Sequence, residues 1–402
     1  MFKPNSISFT LLLAGLCAMP PLSIDMGLPA YEATARSLGT SQATISLTVS
    51  LFMIGFAAGP LVYGPLSERF GRRIVVLCSL ALYSATSLAC LVTPSAHLLL
   101  SARLVQGFAA SSGMALTIAM VRDLFEGAAA QRKISLIMLI QSVMPMIAPT
   151  IGGFVLSLTG WRGIYGVMLT VGVALLLCVW CLDETIRQKT PDALRPMRLW
   201  QNYRTVARHP IAGRHILLAS ICAGVLFSFV TGSPLLFIQT LDVSPRIYGA
   251  LFAIPTIGAM IGTSINSRLA ARTRLQDRLI GVGIVAMVAA DCALLFVGPD
   301  LDHAAAIGIA LLACSSFGFG LIMPTIASRA LEPLPNLTGF ASGLLGFSQM
   351  VSGAFAGVIC AALSTAVGGH AMAVTMVAFA LLALAWYGYL LAGRRIAAAR
   401  VA

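Results

Sequence analysis

The chain is built from apolar runs, each close to 20 residues long and nearly free of charge. That pattern fixes the solvent before it fixes the fold. A helix needs about 20 mostly apolar residues to cross a bilayer. Such runs fall at 8–28, 42–64, 74–93, 96–121, 134–158, 163–182, 215–238, 247–267, 279–298, 304–328, 338–364 and 371–392. Inside lipid the backbone has no water to bond, so each run is expected to be a helix. Of 402 residues 58% are hydrophobic and 10% charged, where soluble chains carry roughly 25% charged residues. So few charges cannot coat a water-soluble sphere. That excludes a cytosolic enzyme, a secreted protein and a disordered chain. The expected fold class is all-α and integral to the membrane, with twelve transmembrane helices.

The remaining charges decide topology. The formal net charge is +12, a balance that can signal nucleic acid. With the N-terminus on the cytoplasmic side, 22 of the 26 Lys and Arg fall in cytoplasmic segments. Only Arg36, Arg162 and Arg246 fall outside, and Arg103 lies within a span. Cytoplasmic loops collect Lys and Arg, so both termini are expected inside. Nucleic-acid binding loses its support, because no single exposed face gathers the charge.

Most loops are short, with Pro94, Gly160, Pro245, Pro299 and Gly368 at their edges. The exception follows span six and carries Pro191, Pro196 and Pro210. It divides the chain into an N-terminal six-helix half (1–183), a cytoplasmic linker (184–214) and a C-terminal six-helix half (215–402). The halves look weakly related: Gly64 to Arg73 follows span two, and the poorer Asn266 to Arg272 follows span eight. Parallel repeats of this kind are common in secondary transporters, with the substrate site at the repeat interface. At the N-terminus, Pro20-Pro21-Leu22-Ser23-Ile24-Asp25 offers no small-x-small cleavage site, so a retained first span is expected.

Enzyme chemistry finds little support. All nine cysteines lie in expected spans, and the pair Cys178 and Cys181 sits in an apolar helix around Trp180 with no other ligand nearby. The five histidines (His97, His209, His215, His303, His370) fall at span ends or in loops. A catalytic nucleophile needs a base within hydrogen-bond reach, and no inward Ser–His or Cys–His set is visible. No catalytic residue, metal or cofactor is expected.

Ionisable groups at membrane depth are expensive and mark function. There are three: Asp25, Arg103 and Asp291. Asp25 lies about four residues, or about 6 Å, before the outer end of span one. Arg103 lies about seven residues, or about 10 Å, into span four from the same side. At similar depth, they can pair or face one cavity; the bland alternative is a static pair that locks two helices. Desolvation favours a protonated carboxyl and a neighbouring cation favours the carboxylate. Arginine stays charged. The carboxyl is therefore the better proton carrier and the arginine the better electrostatic switch. Asp291 sits among small apolar residues with no evident partner.

Two further stretches stand out. Gly64-Pro65-Leu66-Ser67-Glu68-Arg69-Phe70-Gly71-Arg72-Arg73 joins spans two and three. Gly64 and Gly71 permit a tight turn. Glu68 with Arg69, Arg72 and Arg73 can build a charge cluster that holds one conformation closed, or act as a simple positive-inside anchor. Ala148-Pro149-Thr150-Ile151-Gly152-Gly153 lies in span five after Pro145. Proline kinks a helix, and paired glycines allow close helix packing.

On these residues the chain resembles a major facilitator superfamily transporter over its whole length. Gly64 to Arg73 is similar to that superfamily's loop signature between helices two and three, with Glu68 at the acidic position. Arg103-Leu-Val-Gln-Gly-Phe-Ala-Ala110 is similar to the helix-four motif of proton-driven members. Pro149, Gly152 and Gly153 fall in a stretch resembling the helix-five motif of drug/proton antiporters. More narrowly, Pro21 to Ala30, Arg122-Asp-Leu-Phe125 and Ala148 to Phe154 followed by Gly160-Trp-Arg162 resemble the Bcr/CflA subfamily, whose members usually carry an aromatic where Gly27 stands. The resemblance implies a twelve-helix fold in two six-helix pseudo-symmetric halves, in a bacterial inner membrane. It implies multidrug export, of molecules such as bicyclomycin or chloramphenicol, in exchange for protons. It places the coupling on Asp25 and Arg103.

Candidate lining residues for a drug-sized cavity are Tyr31, Phe52, Met53, Gln106, Gln141, Met144, Phe229, Phe237 and Gln349. Such pockets are largely apolar with a few placed polar groups, and Gln141 is the polar residue favoured among them. The expected partners are a small-molecule drug, protons and the lipid bilayer, with the protein acting as a monomer. The rival reading is a transporter or facilitator of an endogenous small metabolite on the same fold.

Overall fold

The computed structural model describes residues 6–186, 196–269, 273–297 and 301–401, all helix or short connection with no strand among them. The helices are α1 (Ile7–Asp25), α2 (Tyr31–Leu38), α3 (Gln42–Phe70), α4 (Arg72–Val92), α5 (Ala96–Leu124), α6 (Gly127–Trp180), α7 (Pro196–Arg208), α8 (Ala212–Pro234), α9 (Pro245–Leu269), α10 (Thr273–Val297), α11 (Leu301–Leu331), α12 (Thr338–Val367) and α13 (Ala371–Val401). Among the described residues ten helical stretches are long and apolar enough to cross a membrane. Two of them, Ala129–Trp180 and Thr338–Ala392, are double-length. The first breaks at Gly160 (φ 74°) and the second at Gly368 (φ 56°), which makes twelve spans.

Local chemistry sets the helix ends. Ser6, Ser41 and Ser95 each accept a backbone N–H three residues on, from Phe9, Thr44 and Leu98. These bonds satisfy donors that a helix start leaves open. Gly71, at φ 109°, turns the chain between α3 and α4. Gly64, expected to share that turn, lies inside α3 instead. The span-two helix runs six residues beyond its apolar stretch, through Pro65 to Phe70. The linker also holds a helix, α7, too polar to read as an apolar run.

Two compact units emerge: Met1–Leu199 with Ser244–Ala250, and Trp200–Val243 with Leu251–Ala402. In the first, α3 packs on α5, α4 on α5 and α6, and α1 on α6. In the second, α10 packs on α11, and α8 on α12 and α13. Glycines set the closest crossings. A Cβ on Gly107 would overlap the Phe52 carbonyl, and one on Gly55 the Leu104 carbonyl. The α3 and α5 backbones therefore touch where Arg103 sits one turn away. In the second unit Gly262 and Gly320 do the same for α9 and α11. Asn266 there donates to the Leu321 carbonyl and to Thr325 Oγ1, both at 2.6 Å. Arg272, the other end of that repeat, lies outside the described residues.

Candidate functional site

Arg103 is 2% exposed. Its Nη1 donates to Gln106 Oε1 at 2.6 Å, one turn on along α5. Its Nη2 donates to the Ser23 carbonyl of α1 at 2.8 Å. The guanidinium lies over the Phe52 ring at 4.6 Å and nearer the edge of reach of Tyr165 at 6.0 Å. A guanidinium carries five N–H donors and no acceptor, so a buried one needs this much company. One donor is still unmet: Nε is buried with no acceptor.

A second shell of hydroxyls holds the first. Gln106 Nε2 donates to Ser87 Oγ at 2.7 Å, and Ser87 Oγ donates to the Tyr83 carbonyl at 2.7 Å. The Tyr83 hydroxyl bonds Ser23 Oγ at 2.6 Å. The network thus ties α1, α4 and α5 together around one fixed positive charge. Beside it lies a cavity of about 10 Å³ walled by Gly27, Tyr31, Thr48, Arg103, Tyr165 and Met168. That is room for about one water molecule and not for a drug.

Asp25 ends α1, two residues beyond Ser23, and is 5% exposed. It does not pair with Arg103: no hydrogen bond or ion pair reaches it among the described residues. It does not wall the small cavity either. The helix-five stretch supports it from behind. A Cβ on Gly152 would overlap the carbonyl of Met26, the residue next to Asp25. Within the first unit, Gly153 faces the Pro245 carbonyl and Thr150 faces Gly249 in the same way. Pro149 is buried just before them. At the Gly160 turn, Trp161 is buried and Arg162 stacks on it at 4.3 Å while donating to the Thr93 carbonyl at 3.0 Å.

The loop motif is built with acids other than the one expected. Glu68 is exposed and bonds none of Arg69, Arg72 or Arg73. Arg72 Nε instead pairs with Asp123 Oδ2 of α5 at 3.1 Å, and its Nη1 donates to Ser67 Oγ at 2.5 Å. Glu184 caps α4: its Oε1 accepts from Arg72 N at 2.9 Å, and its Oε2 from Arg73 N at 3.3 Å. Arg73 Nη2 reaches the Trp180 carbonyl at 2.5 Å, while Arg69 rests on the Phe70 ring. Asp123 lies in the Arg122–Phe125 stretch, where nothing local marks it as the partner of Arg72. Glu184 carried no signal, because a cap 111 residues away is invisible locally.

The candidate lining residues separate into groups. Phe52, Met53 and Gln106 are fully buried. Phe52 and Gln106 hold Arg103, because a charge buried at a helix crossing draws the nearest ring and amide. Phe229 and Phe237 are 3% and 1% exposed, and Phe229 stacks on Phe252 with centroids 5.0 Å apart. Tyr31 walls the small cavity. Gln141, Met144 and Gln349 are partly exposed, and Gln141 Nε2 reaches Met114 Sδ at 3.6 Å. Asp291 is 1% exposed and lies beside the Ser315 hydroxyl of α11. Among the described residues no cluster of His, Cys, Asp and Glu is set to hold a metal.

Twelve spans in two units, with a caged arginine and an unpaired acid at the end of the first helix, describe a polytopic membrane transporter rather than an enzyme. The Major Facilitator Superfamily family model matches residues 11–358, and the chain belongs to that superfamily. It is 27% identical over 363 residues to the bicyclomycin resistance protein homolog of Haemophilus influenzae, covering 90% of each chain. It is 28% identical over 338 residues to the multidrug resistance protein MdtL of Escherichia coli, covering 83% of each. It is 29% identical over 356 residues to the uncharacterized MFS-type transporter YdgK of Bacillus subtilis, covering 86% of this chain and 87% of that one. Among solved structures, a D-xylose–proton symporter superposes with TM-score 0.71 at 14% identity over 94% of this chain and 97% of that one. A bacterial homolog of the human lysosomal transporter Spinster gives 0.76 at 16% identity over 94% and 96%. These likenesses show the fold.

Proposed function

We propose that the protein exports lipophilic drugs, of the bicyclomycin or chloramphenicol kind, from the bacterial cytoplasm in exchange for protons by alternating access. It acts in the inner membrane as a monomer with both termini cytoplasmic. The observation that carries this reading is a pair of complementary vacancies in one unit: among the described residues Asp25 meets no donor, and Arg103 Nε meets no acceptor. An isolated ionised carboxylate is costly to bury, so in the proposed cycle Asp25 carries the proton and gives it up where a cation or water can receive the charge. The relatives named for bicyclomycin and multidrug resistance support the choice of cargo. Gln141, Met144 and Met114, partly open and flexible, suit the wall that meets an apolar molecule.

The test uses everted membrane vesicles with an imposed proton gradient and a panel of bicyclomycin, chloramphenicol and a lipophilic cation. Adding a transported drug should release protons from the lumen, and Asp25→Asn should abolish that release at normal protein level. Wild-type proton-linked efflux in Asp25→Asn would refute the coupling. An unchanged inhibitory profile across the panel, with protein present in the membrane, would put the metabolite reading ahead.

A further inference from the structure

Between spans six and seven, residues 187–214 carry seven Lys and Arg against one acid, Asp192. Within that segment α7 is a short helix with two distinct faces. One face is docked. Tyr203 meets Phe340 edge-to-face with centroids 5.1 Å apart, and Val206 is fully buried. Successive residues of a helix are 100° apart, so positions 197, 200, 204 and 208 share the opposite side. There Met197 is 66% and Trp200 65% exposed, with Arg204 and Arg208 also exposed.

Exposing a tryptophan and a methionine to water gains nothing for a helix already held by its other face. A bilayer is always within reach. Arg208 and Ala212, where the next span begins, are four residues apart, or at most about 14 Å of chain. The turn is tight: Gly213 N–H donates to the His209 carbonyl at 3.0 Å. Tryptophan concentrates at the headgroup level of membranes, and arginine pairs with phosphate in a fork geometry. Basic residues beside a span favour anionic lipid.

We propose that the Met197, Trp200, Arg204 and Arg208 face of α7 is a membrane-surface anchor, with Trp200 at headgroup depth and the two arginines on anionic phospholipid phosphates. It stands apart from drug export and does not rest on it.

The experiment places the full-length protein in nanodiscs of zwitterionic phospholipid, with or without anionic phospholipid. The emission of Trp200 is taken as the difference between wild type and Trp200→Phe, which removes the other three tryptophans. Bilayer lipids brominated near the headgroup should quench that difference in the anionic discs, and iodide from the water should not. Losing two arginines should lower the anchored-to-free ratio about 30-fold, so R204Q/R208Q should lose quenching by brominated lipid and gain quenching by iodide. The docked Tyr203 and Val206 face is untouched in these variants. Two results overturn the proposal: a Trp200 signal quenched by iodide and blind to brominated lipid in both discs, or lipid quenching that is equal with and without anionic lipid and survives R204Q/R208Q.

Discussion

Replacing Gln106 by methionine keeps the length of the side chain and removes its hydrogen bonds to Arg103, Ser87 and the Met168 sulfur. Gln106 is fully buried, so water does not replace what is lost at no cost. The Arg103 Nη1 bond at 2.6 Å is charge-assisted and contributes about 1.5–3 kcal/mol. The bond to Ser87 at 2.7 Å is a neutral interhelical one, worth on average about 0.6 kcal/mol inside membranes. Ser87 keeps its bond to the Tyr83 carbonyl, so it is not orphaned. The guanidinium is worse placed. Nε already lacks an acceptor, and Nη1 would join it. Losing about 2–3.6 kcal/mol in all is a factor of roughly 30–400 in an equilibrium constant.

Two variants separate orientation from mere stability. Gln106→Met should lower the thermal transition of the purified protein and weaken proton-linked efflux. Gln106→Glu should keep or raise the transition, because a carboxylate would bond Arg103 more strongly than the amide does. It should nevertheless weaken coupling, because a permanent ion pair on Nη1 neutralises the guanidinium and weakens its pull on the Asp25 carboxylate. The assay is proton release from everted vesicles per drug moved, beside a thermal melt of each variant. Wild-type coupling in both variants would refute the view that Gln106 sets the arginine.

Asp123→Asn should slow transport and lower thermal stability, because the partly buried Arg72 (10% exposed side chain) loses the charge that its Nε meets at 3.1 Å. Glu68→Gln, lacking any such bond among the described residues, should be milder in the same melt and uptake measurements; the reverse order would contradict the loop as built. Asp291→Asn should leave both the melting temperature and efflux near wild type, since an amide of the same shape can keep the contact with the Ser315 hydroxyl. A loss of coupling with intact stability would show that the second unit titrates too.

Twelve spans were legible because lipid leaves the backbone one solution, and each of twelve apolar runs became a helix. Arg103 and Asp25 were legible for the same reason, as charges in apolar runs stand out. Their relation was not. Similar depth along two helices says nothing of rotation, and Arg103 turns to Gln106, Ser23 and Phe52 rather than to Asp25. The glycines of α3 and α5 decide that rotation, since Gly55 and Gly107 bring backbone onto backbone and leave Phe52 directly beside the guanidinium. Likewise Glu68 reads as the acid of its loop, yet an exposed acid on the last turn of α3 gains little from neighbours on its own helix. Asp123 and Glu184 arrive from distant sequence and meet two needs the loop creates, a buried arginine and an open helix start. The α7 anchor face was missed because its period is amphipathic, and long apolar runs are a poor guide to it.

An arginine that never loses its charge must be given acceptors in every state of a transport cycle, so coupling through Arg103 means an exchange of acceptors and not the making and breaking of a charge. Here it has one neutral carbonyl, one neutral amide and two aromatic faces. In the proposed cycle a deprotonated Asp25 becomes the strongest acceptor within the unit, since bonds to ionised groups are roughly twice as strong as neutral ones. The bond it would displace most readily is the one to the Ser23 carbonyl, because Ser23 and Asp25 lie on the same helix, while Gln106 is fixed one turn away on α5 itself. That bond is also a tie between α1 and α5. Proton loss would then trade it for a tie that holds the last turn of α1 instead, and reprotonation would restore it. The protonation of one carboxyl is thereby converted into a choice between two seatings of the first helix.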